Sequence, residues 1–420
     1  MSRRVTSILA LAASAFLVAA CGGGESSSGT VTLNWWAGNQ PGGSFQKAAE
    51  YCSKQSDGAY KIKVNLLGTD ADSQRQSLVR RLAAGDSSID LMAMDVVWTA
   101  EFAEAKWILP FPSDKASELK QGRLAGPLKT ATYQGRLFAA PGNSNTQLLW
   151  YRKSQLNGEP VPKTWDQLID TATKLKTTIA YTNAQYEGTT VWFNSVLQSA
   201  GGSILDGPDK VSLAPKPSLR AIAIMKRFAA GPGNPSLPAA KEDQARQAFE
   251  VPTGTAFEIN YPFVYASAQS NTAIKGPPAL KDDIAWAPYP SVTGSGQARA
   301  PIGGFNWGVG SHTKHPQQAF DAATCLSSEQ PERLYAQLDS LPPTLSKVYD
   351  DPKFKKSYPF SEIVKRQIDS AGVRPVTPLY ADVSLAVYTT LSPAAKLDPP
   401  SALTKLTERV QDALDSKGLL

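Results

Sequence analysis

The segment Ile89–Met94 is apolar at all but one of its six positions, the exception being Asp90, and it is preceded by Gly85-Asp86-Ser87-Ser88 and closed by Asp95. So short a run, set between turn-forming residues and an acid, reads as a buried strand rather than a helix. A helix is expected to follow, with Val97, Ala100, Phe102, Ala103 and Ala105 as its apolar positions. In open α/β sheets, ligands gather in the crevice outside the carboxyl ends of the strands. Asp95, with Trp98 three residues on, therefore has two readings. It is either a helix-capping acid or a polar group aimed at a ligand.

The flanking sequence repeats the same unit. Val31–Trp36 alternates as a strand, and Ser44 is placed to cap a helix. On that helix Phe45, Ala48, Ala49 and Cys52 recur at i, i+3, i+4 and i+7. Tyr60, Ile62, Val64 and Leu66 alternate in a second strand, and a helix from about Asp72 to Ala84 leads into Ile89–Met94. The order β-α-β-α-β signifies a parallel sheet. Further strands are expected at Phe138–Pro141, Asn145–Tyr151 and Phe257–Tyr261, with helices at Val191–Ala200, Ala221–Phe228 and Glu242–Phe249. Thr164 and Gln167 form a capping-box pattern. Ile284–Tyr289 and Ile302–Val309 bracket a turn-rich linker, Pro316 opens a helix containing Cys325, and Ser340–Leu345 reads as another crossing between lobes. A chain of 420 residues exceeds one ordinary core, so two lobes are expected.

The amino terminus carries Arg3 and Arg4, an apolar core from Ile8 to Ala20, and then Cys21, the anatomy of a secretory signal. That core is too short and wrongly flanked for a transmembrane helix. Val18-Ala-Ala-Cys21 resembles a bacterial lipobox, in which the cysteine becomes the lipidated first residue; an ordinary signal with an incidental cysteine is the other reading. Gly22–Gly29 follows as a flexible tether. The formal charge of +6 is dispersed, so there is no nucleic-acid footprint. Besides Cys21 only Cys52 and Cys325 occur, which in an exported chain favours a disulfide over two buried thiols. With His312 and His315 as the only histidines, no metal cluster is expected, and no cofactor is.

Several segments taken together resemble the extracellular carbohydrate-binding lipoproteins of ATP-binding-cassette importers. They are Met94-Asp95, Pro162-Lys-Thr-Trp-Asp-Gln-Leu168, Val191-Trp-Phe-Asn194, Ala200-Gly-Gly202, Phe249-Glu250, Phe257-Glu-Ile-Asn-Tyr261 and Ile302-Gly-Gly-Phe-Asn306. Leu91–Trp107, Asn145–Arg152 and Val373-Arg-Pro-Val-Thr-Pro-Leu-Tyr380 are similar to the trehalose-binding members from mycobacteria. The resemblance implies an α/β, two-lobed periplasmic-binding-protein (Venus flytrap) fold with several inter-lobe crossings. It divides the chain into a signal peptide (1–20), a lipidated tether (21–30), a first lobe (31–144 with 303–343) and a second (145–302 with 344–420). It further implies capture of trehalose or a related disaccharide by hinge closure, permease and ATPase partners, and a lipid anchor at Cys21 on the outer side of the cell membrane. Carried over by position, the ligand would meet Asn39, Gln40, Gln74, Asp95, Asn145, Glu242, Tyr261, Gly304, Phe305 and Arg374. Tyr261 stands where those relatives carry tryptophan, and the 39–43 loop matches only loosely.

The residue types suit a saccharide, which presents vicinal hydroxyls around apolar C–H faces. Carboxylates accept hydroxyl protons, amides donate and accept, guanidinium donates as a fork, and aromatics stack on the ring. Plainer readings exist: Glu242 and Gln74 as solvated helix residues, Tyr261 and Phe305 as core aromatics, Arg374 as a surface ion-pair partner. These groups are expected to face an open, wet cleft, so that removing them weakens binding and spares the fold. The competing class is a secreted glycoside-processing enzyme with Asp95 and Glu242 as its carboxylate pair. A maltose-type oligosaccharide is the competing ligand.

Overall fold

The computed structural model describes residues 29–416 except 41, 69–70, 183, 234–238, 253–254, 275–277 and 295–297. The signal segment, Cys21 and most of the tether lie outside the described residues.

Among the described residues, eleven strands fall into two main sheets and one small hairpin. The first sheet contains β1 (Val31–Ala37), β2 (Tyr60–Leu66), β3 (Leu91–Asp95), β6 (Ala139–Asn145) and β11 (Gly303–Val309), in the order β2-β1-β3-β11-β6. The hairpin pairs β4 (Thr132–Tyr133) with β5 (Arg136–Leu137). The second sheet contains β7 (Leu148–Arg152), β8 (Ile179–Ala180), β9 (Phe257–Asn260) and β10 (Ile284–Ala287), in the order β10-β7-β9-β8. The chain folds as the expected two-lobed α/β protein.

In the first lobe β1 runs parallel to β2 and β3, as the β-α-β-α-β reading requires. The parallel run then stops. β11 enters antiparallel between β3 and β6, pairing Phe305 with Asp95 and Gly303 with Asn145. The helix Ser44–Gln55 buries Phe45, Ala48, Ala49 and Cys52 on one face. Its expected cap is corrected: Ser44 is helical, and Asp339 supplies the cap by accepting from the N–H groups of Gly42 (2.5 Å) and Ser44 (3.0 Å). A full carboxylate at two free N–H groups is a stronger acceptor than a hydroxyl. The edge of Phe45 packs against Trp307 (5.4 Å) and Tyr335 (5.4 Å), and Trp35 packs on Trp307 (5.0 Å). Cys52 is disulfide-bonded to Cys325, with 5.8 Å between the Cα atoms.

The second lobe is centred on Trp165, Tyr181, Trp192, Phe228 and Tyr289, whose rings meet edge-on or tilted. Thr164 Oγ1 accepts from Gln167 N–H (3.1 Å), while Gln167 Oε1 accepts from Lys163 N–H (2.9 Å), so the reciprocal bond reaches one residue further back than a standard capping box. The chain passes between the sheets at Asn145–Leu148 and between Ala287 and Gly303, and a further passage at Ser340–Leu345 joins the helices Glu329–Asp339 and Ser346–Asp350. These passages are tied to one another. Gln367 accepts from Tyr289 N–H (2.6 Å) and donates to Gln147 O (2.9 Å). Ser144 N–H donates to Pro342 O (2.9 Å). The buried Glu332 carboxylate accepts from Thr344 and Leu345 N–H and pairs with Arg123 at 2.6 Å.

Candidate ligand-binding site

Because β1, β2 and β3 are parallel, Ala37, Leu66 and Asp95 end on one edge of the first sheet. Asp95 shapes the turn before the next helix rather than capping it, since the cap there is Trp98, with no side-chain bond. Its backbone carbonyl accepts from Trp98 N–H (2.9 Å) and its Oδ1 from Val97 N–H (3.1 Å), which shapes the turn before the short helix Thr99–Glu104. The same Oδ1 receives Arg374 Nη2 at 3.2 Å.

Arg374 is the hub. Its Nη1 donates to Glu187 Oε1 at 2.5 Å and its Nη2 to Ile302 O at 3.4 Å. Tyr380, in the same carboxyl-terminal segment, donates its hydroxyl to Glu187 Oε1 at 2.5 Å. One guanidinium thus joins the strand end of the first lobe to a helix start in the second. The residue is only 5% exposed, which corrects the expectation of an arginine in a wet cleft. The cause is local. Gly372 and Val373 lie along the helix Glu187–Ser199, with Asn194 Nδ2 and Gln198 Nε2 donating to their carbonyls at 3.4 and 2.7 Å. Burial pushes the Glu187 carboxyl up to about 7, with Asp95 adding to the rise and Arg374 and Tyr380 opposing it. Two carboxylates share one cation here, so the proton on Glu187 is weakly held near neutral pH.

Tyr261 follows β9 and faces Gly303, where a Cβ would meet its ring at 3.9 Å and Asn145 Cβ at 3.6 Å. Burial and the charge of Glu242 hold its hydroxyl protonated, and Arg374, Glu187 and Asp95 all lie within electrostatic reach of it. Glu242 opens the helix Glu242–Phe249 and accepts the Tyr186 hydroxyl at 2.6 Å. Gly304 has φ +120°, and a Cβ there would meet Asn143 O at 2.2 Å, so β11 admits only glycine at that point. Phe305 is half-buried opposite Asp95.

Asp95, Asn145, Tyr261, Gly304 and Arg374 therefore lie close together, with Glu242 within electrostatic reach of Tyr261, whereas the Phe305 ring packs on Phe45 (6.0 Å) and Trp307 (6.5 Å) as a core aromatic. Asn39, Gln40 and Gln74 form a separate group above β1. Gln74 Nε2 donates to Gly68 O (2.9 Å) and packs on Gly38, where a Cβ would lie 2.8 Å away. Asn39 is exposed, and Gln40 O accepts from Gly43 N–H (2.9 Å). Arg75, next to Gln74, pairs with Glu101 of the helix after Asp95 at 2.5 Å, fixing this group to the same edge. Glu187, Tyr186 and Tyr380 were absent from the expected set. A groove of 720 Å³ lined by Lys129, Tyr133, Asn194, Gln198 and Arg299 also reaches Arg374 but touches none of the other site residues. Among the described residues no cluster of His, Cys, Asp and Glu could hold a metal ion, and no helix is long and apolar enough to cross a membrane.

Two α/β lobes tied by several crossings, with polar groups converging between them, define a two-lobed binding protein. The chain belongs to the family of bacterial extracellular solute-binding proteins, whose pattern it matches over residues 36–332. A probable ABC transporter-binding protein of Deinococcus radiodurans is 26% identical over 376 residues, covering 84% of this chain and 86% of the relative. Among solved structures, the maltose-bound MalE3 of T. maritima aligns with TM-score 0.78 and 24% identity over 91% of this chain and 99% of its own. The GacH receptor of Streptomyces glaucescens, solved unliganded and with acarbose, aligns with TM-score 0.78 and 20% identity over 92% and 99%. These likenesses establish the fold.

Proposed function

We propose that this protein captures trehalose, or a closely related disaccharide, between its lobes and hands it to the permease of an ATP-binding-cassette importer. The observation that carries the reading is the Asp95–Arg374–Glu187 array, which spans the lobes and sits beside Tyr261 and Glu242. Charged acceptors, a forked donor and an aromatic ring at one place are the equipment for a hydroxylated ring. The relatives support the transport class: one is named as an ABC transporter-binding protein, and structural neighbours are described with maltose or acarbose bound. The lobes comprise 31–144 with 303–343 and 145–302 with 344–420, and Cys21 carries the lipid anchor that keeps the protein at the outer face of the cell membrane. Hinge closure brings Glu242, Tyr261 and Glu187 onto a ligand seated against Asp95, because the closed state makes contacts the open one lacks.

Calorimetry of the exported protein against trehalose, maltose, sucrose and glucose tests this. Trehalose is expected to bind most tightly. Tighter binding of maltose would keep the class and remove the specific sugar, and no binding by any of the four would remove the reading. A glycoside-processing enzyme is also met by one observation, the weakly held proton on Glu187 beside Asp95. Release of glucose from a disaccharide by the purified protein would establish that alternative.

A further inference from the structure

Glu242 and Tyr261 reach the site from different elements, and one side chain fixes both. Asn260, the last residue of β9, is fully buried. Its Oδ1 accepts the Tyr261 N–H at 2.8 Å, and its Nδ2 donates to the Glu242 carbonyl at 2.9 Å and to Glu258 Oε1 at 2.6 Å. The orientation of the amide is fixed by these partners, since Tyr261 offers a donor and Glu242 an acceptor. Its own carbonyl accepts Trp150 Nε1 at 2.9 Å, which anchors the strand end to β7. Glu258 stands behind it, also fully buried and held largely protonated by burial, with Glu250, Arg246 and Asp243 as the charged groups that face it. The strands on either side of Glu258 present Trp150 and Ala180, so no charge reaches it from them.

We propose that Asn260, backed by Glu258, is the positioning residue of the second lobe's half of the site, setting the Glu242 helix start and the Tyr261 backbone in the register that meets the ligand. This rests on the sugar-binding reading above. Asn260 touches no ligand itself; it acts through Glu242, whose side chain is held by Tyr186, and through the ring of Tyr261. An amide is required here. A carboxylate of the same shape keeps the acceptor for Tyr261 N–H but has no hydrogen for the Glu242 carbonyl, and it sets an acid against Glu258.

The test measures trehalose affinity by calorimetry for the wild type, Asn260→Ala and Asn260→Asp at pH 5 and pH 8, with a thermal midpoint for each. Losing one buried hydrogen bond with its partner left unpaired weakens affinity roughly five- to a hundred-fold where it acts on the site. The expected result is that loss for Asn260→Ala at both pH values. For Asn260→Asp the loss is large at pH 8 and mostly recovered at pH 5, where a protonated carboxyl again supplies a hydrogen. A role confined to stability would move the midpoints without this pH-dependent recovery of affinity. Should Asn260→Ala fail to fold, Asn260→Asp at pH 5 and 8 decides alone. Wild-type affinity in Asn260→Asp at both pH values would overturn the proposal and leave the sugar reading intact. Absence of sugar binding by the wild type would overturn the reading and the proposal with it.

Discussion

Replacing Arg374 by alanine takes the shared cation away from two part-buried carboxylates. The side chain is 4% exposed and makes charged hydrogen bonds to Glu187 at 2.5 Å and Asp95 at 3.2 Å. Each such bond contributes about 1.5–3 kcal/mol, and removing one partner of a buried ion pair costs about 3–5 kcal/mol. These describe overlapping parts of one loss, so at pH 8 the unliganded protein should lose about 3–5 kcal/mol of unfolding free energy. The pH dependence follows from Glu187. Its carboxyl already sits at about 7 in the folded protein, above the ordinary 4.5. The folded state therefore holds a proton that the unfolded chain releases, and stability falls as pH rises from about 4.5 through that value. Deleting the cation that opposes the rise lifts it further and extends the fall to higher pH. The variant's deficit should consequently be larger at pH 8 than at pH 5.5, by about 1.4 kcal/mol for each pH unit over which the fall is prolonged. Urea denaturation at the two pH values measures this, and adding Glu187→Gln to the variant should recover part of the loss at pH 8. A loss under about 1 kcal/mol at both values, or an equal loss at both, would refute the reasoning.

Reducing the Cys52–Cys325 bridge, which joins residues 273 apart, should destabilise the first lobe by roughly 2–5 kcal/mol, read as a lower urea midpoint in reducing buffer; an unchanged midpoint would count against it. Gly304→Ala forces a Cβ against Asn143 O and an unfavourable φ, and should lower the thermal midpoint clearly, whereas Gly294→Ala, with open space around it, should not. Glu258 is pushed up to about 8 by burial, so wild-type stability falls as pH rises from about 4.5 to 8; Glu258→Gln should flatten that window by roughly 3–5 kcal/mol, and parallel stability curves would show the buried proton to be absent. Cys21→Ala should shift the protein from membranes to the soluble or unprocessed pool in fractionation, and normal processing with membrane retention would remove the anchor.

The first lobe was legible because its signals are local. Ile89–Met94 is a nearly continuous apolar run, and Phe45, Ala48, Ala49 and Cys52 mark one helix face. Strand direction leaves no such mark, so the antiparallel entry of β11 between β3 and β6 could not be read from Ile302–Val309. Apolar periodicity marks a helix from Val191, whereas the helix begins at Glu187 with the small residues Gly188, Thr189 and Thr190. That offset hid Glu187. The burial of Arg374 was equally out of reach, since its two carboxylates lie 187 and 279 residues away in the chain. Asp339 as the cap of the Ser44 helix is the same kind of case, a partner 295 residues distant. The hairpin strands and β8 are two residues each, too short for any alternation to show.

The position of β11 sets an order of events as the chain emerges. β3 and β6 are not neighbours without it, and β7 through β10 all lie between the end of β6 at Asn145 and the start of β11 at Gly303. Everything needed for the second sheet is made within that interval. The second lobe's sheet can therefore assemble as an insert while the first waits with the place between β3 and β6 empty. The first sheet, begun at Val31, is then completed only after all four strands of the second have been made, and a chain stopped just short of Gly303 would expose the facing edges of β3 and β6 to any strand able to pair with them.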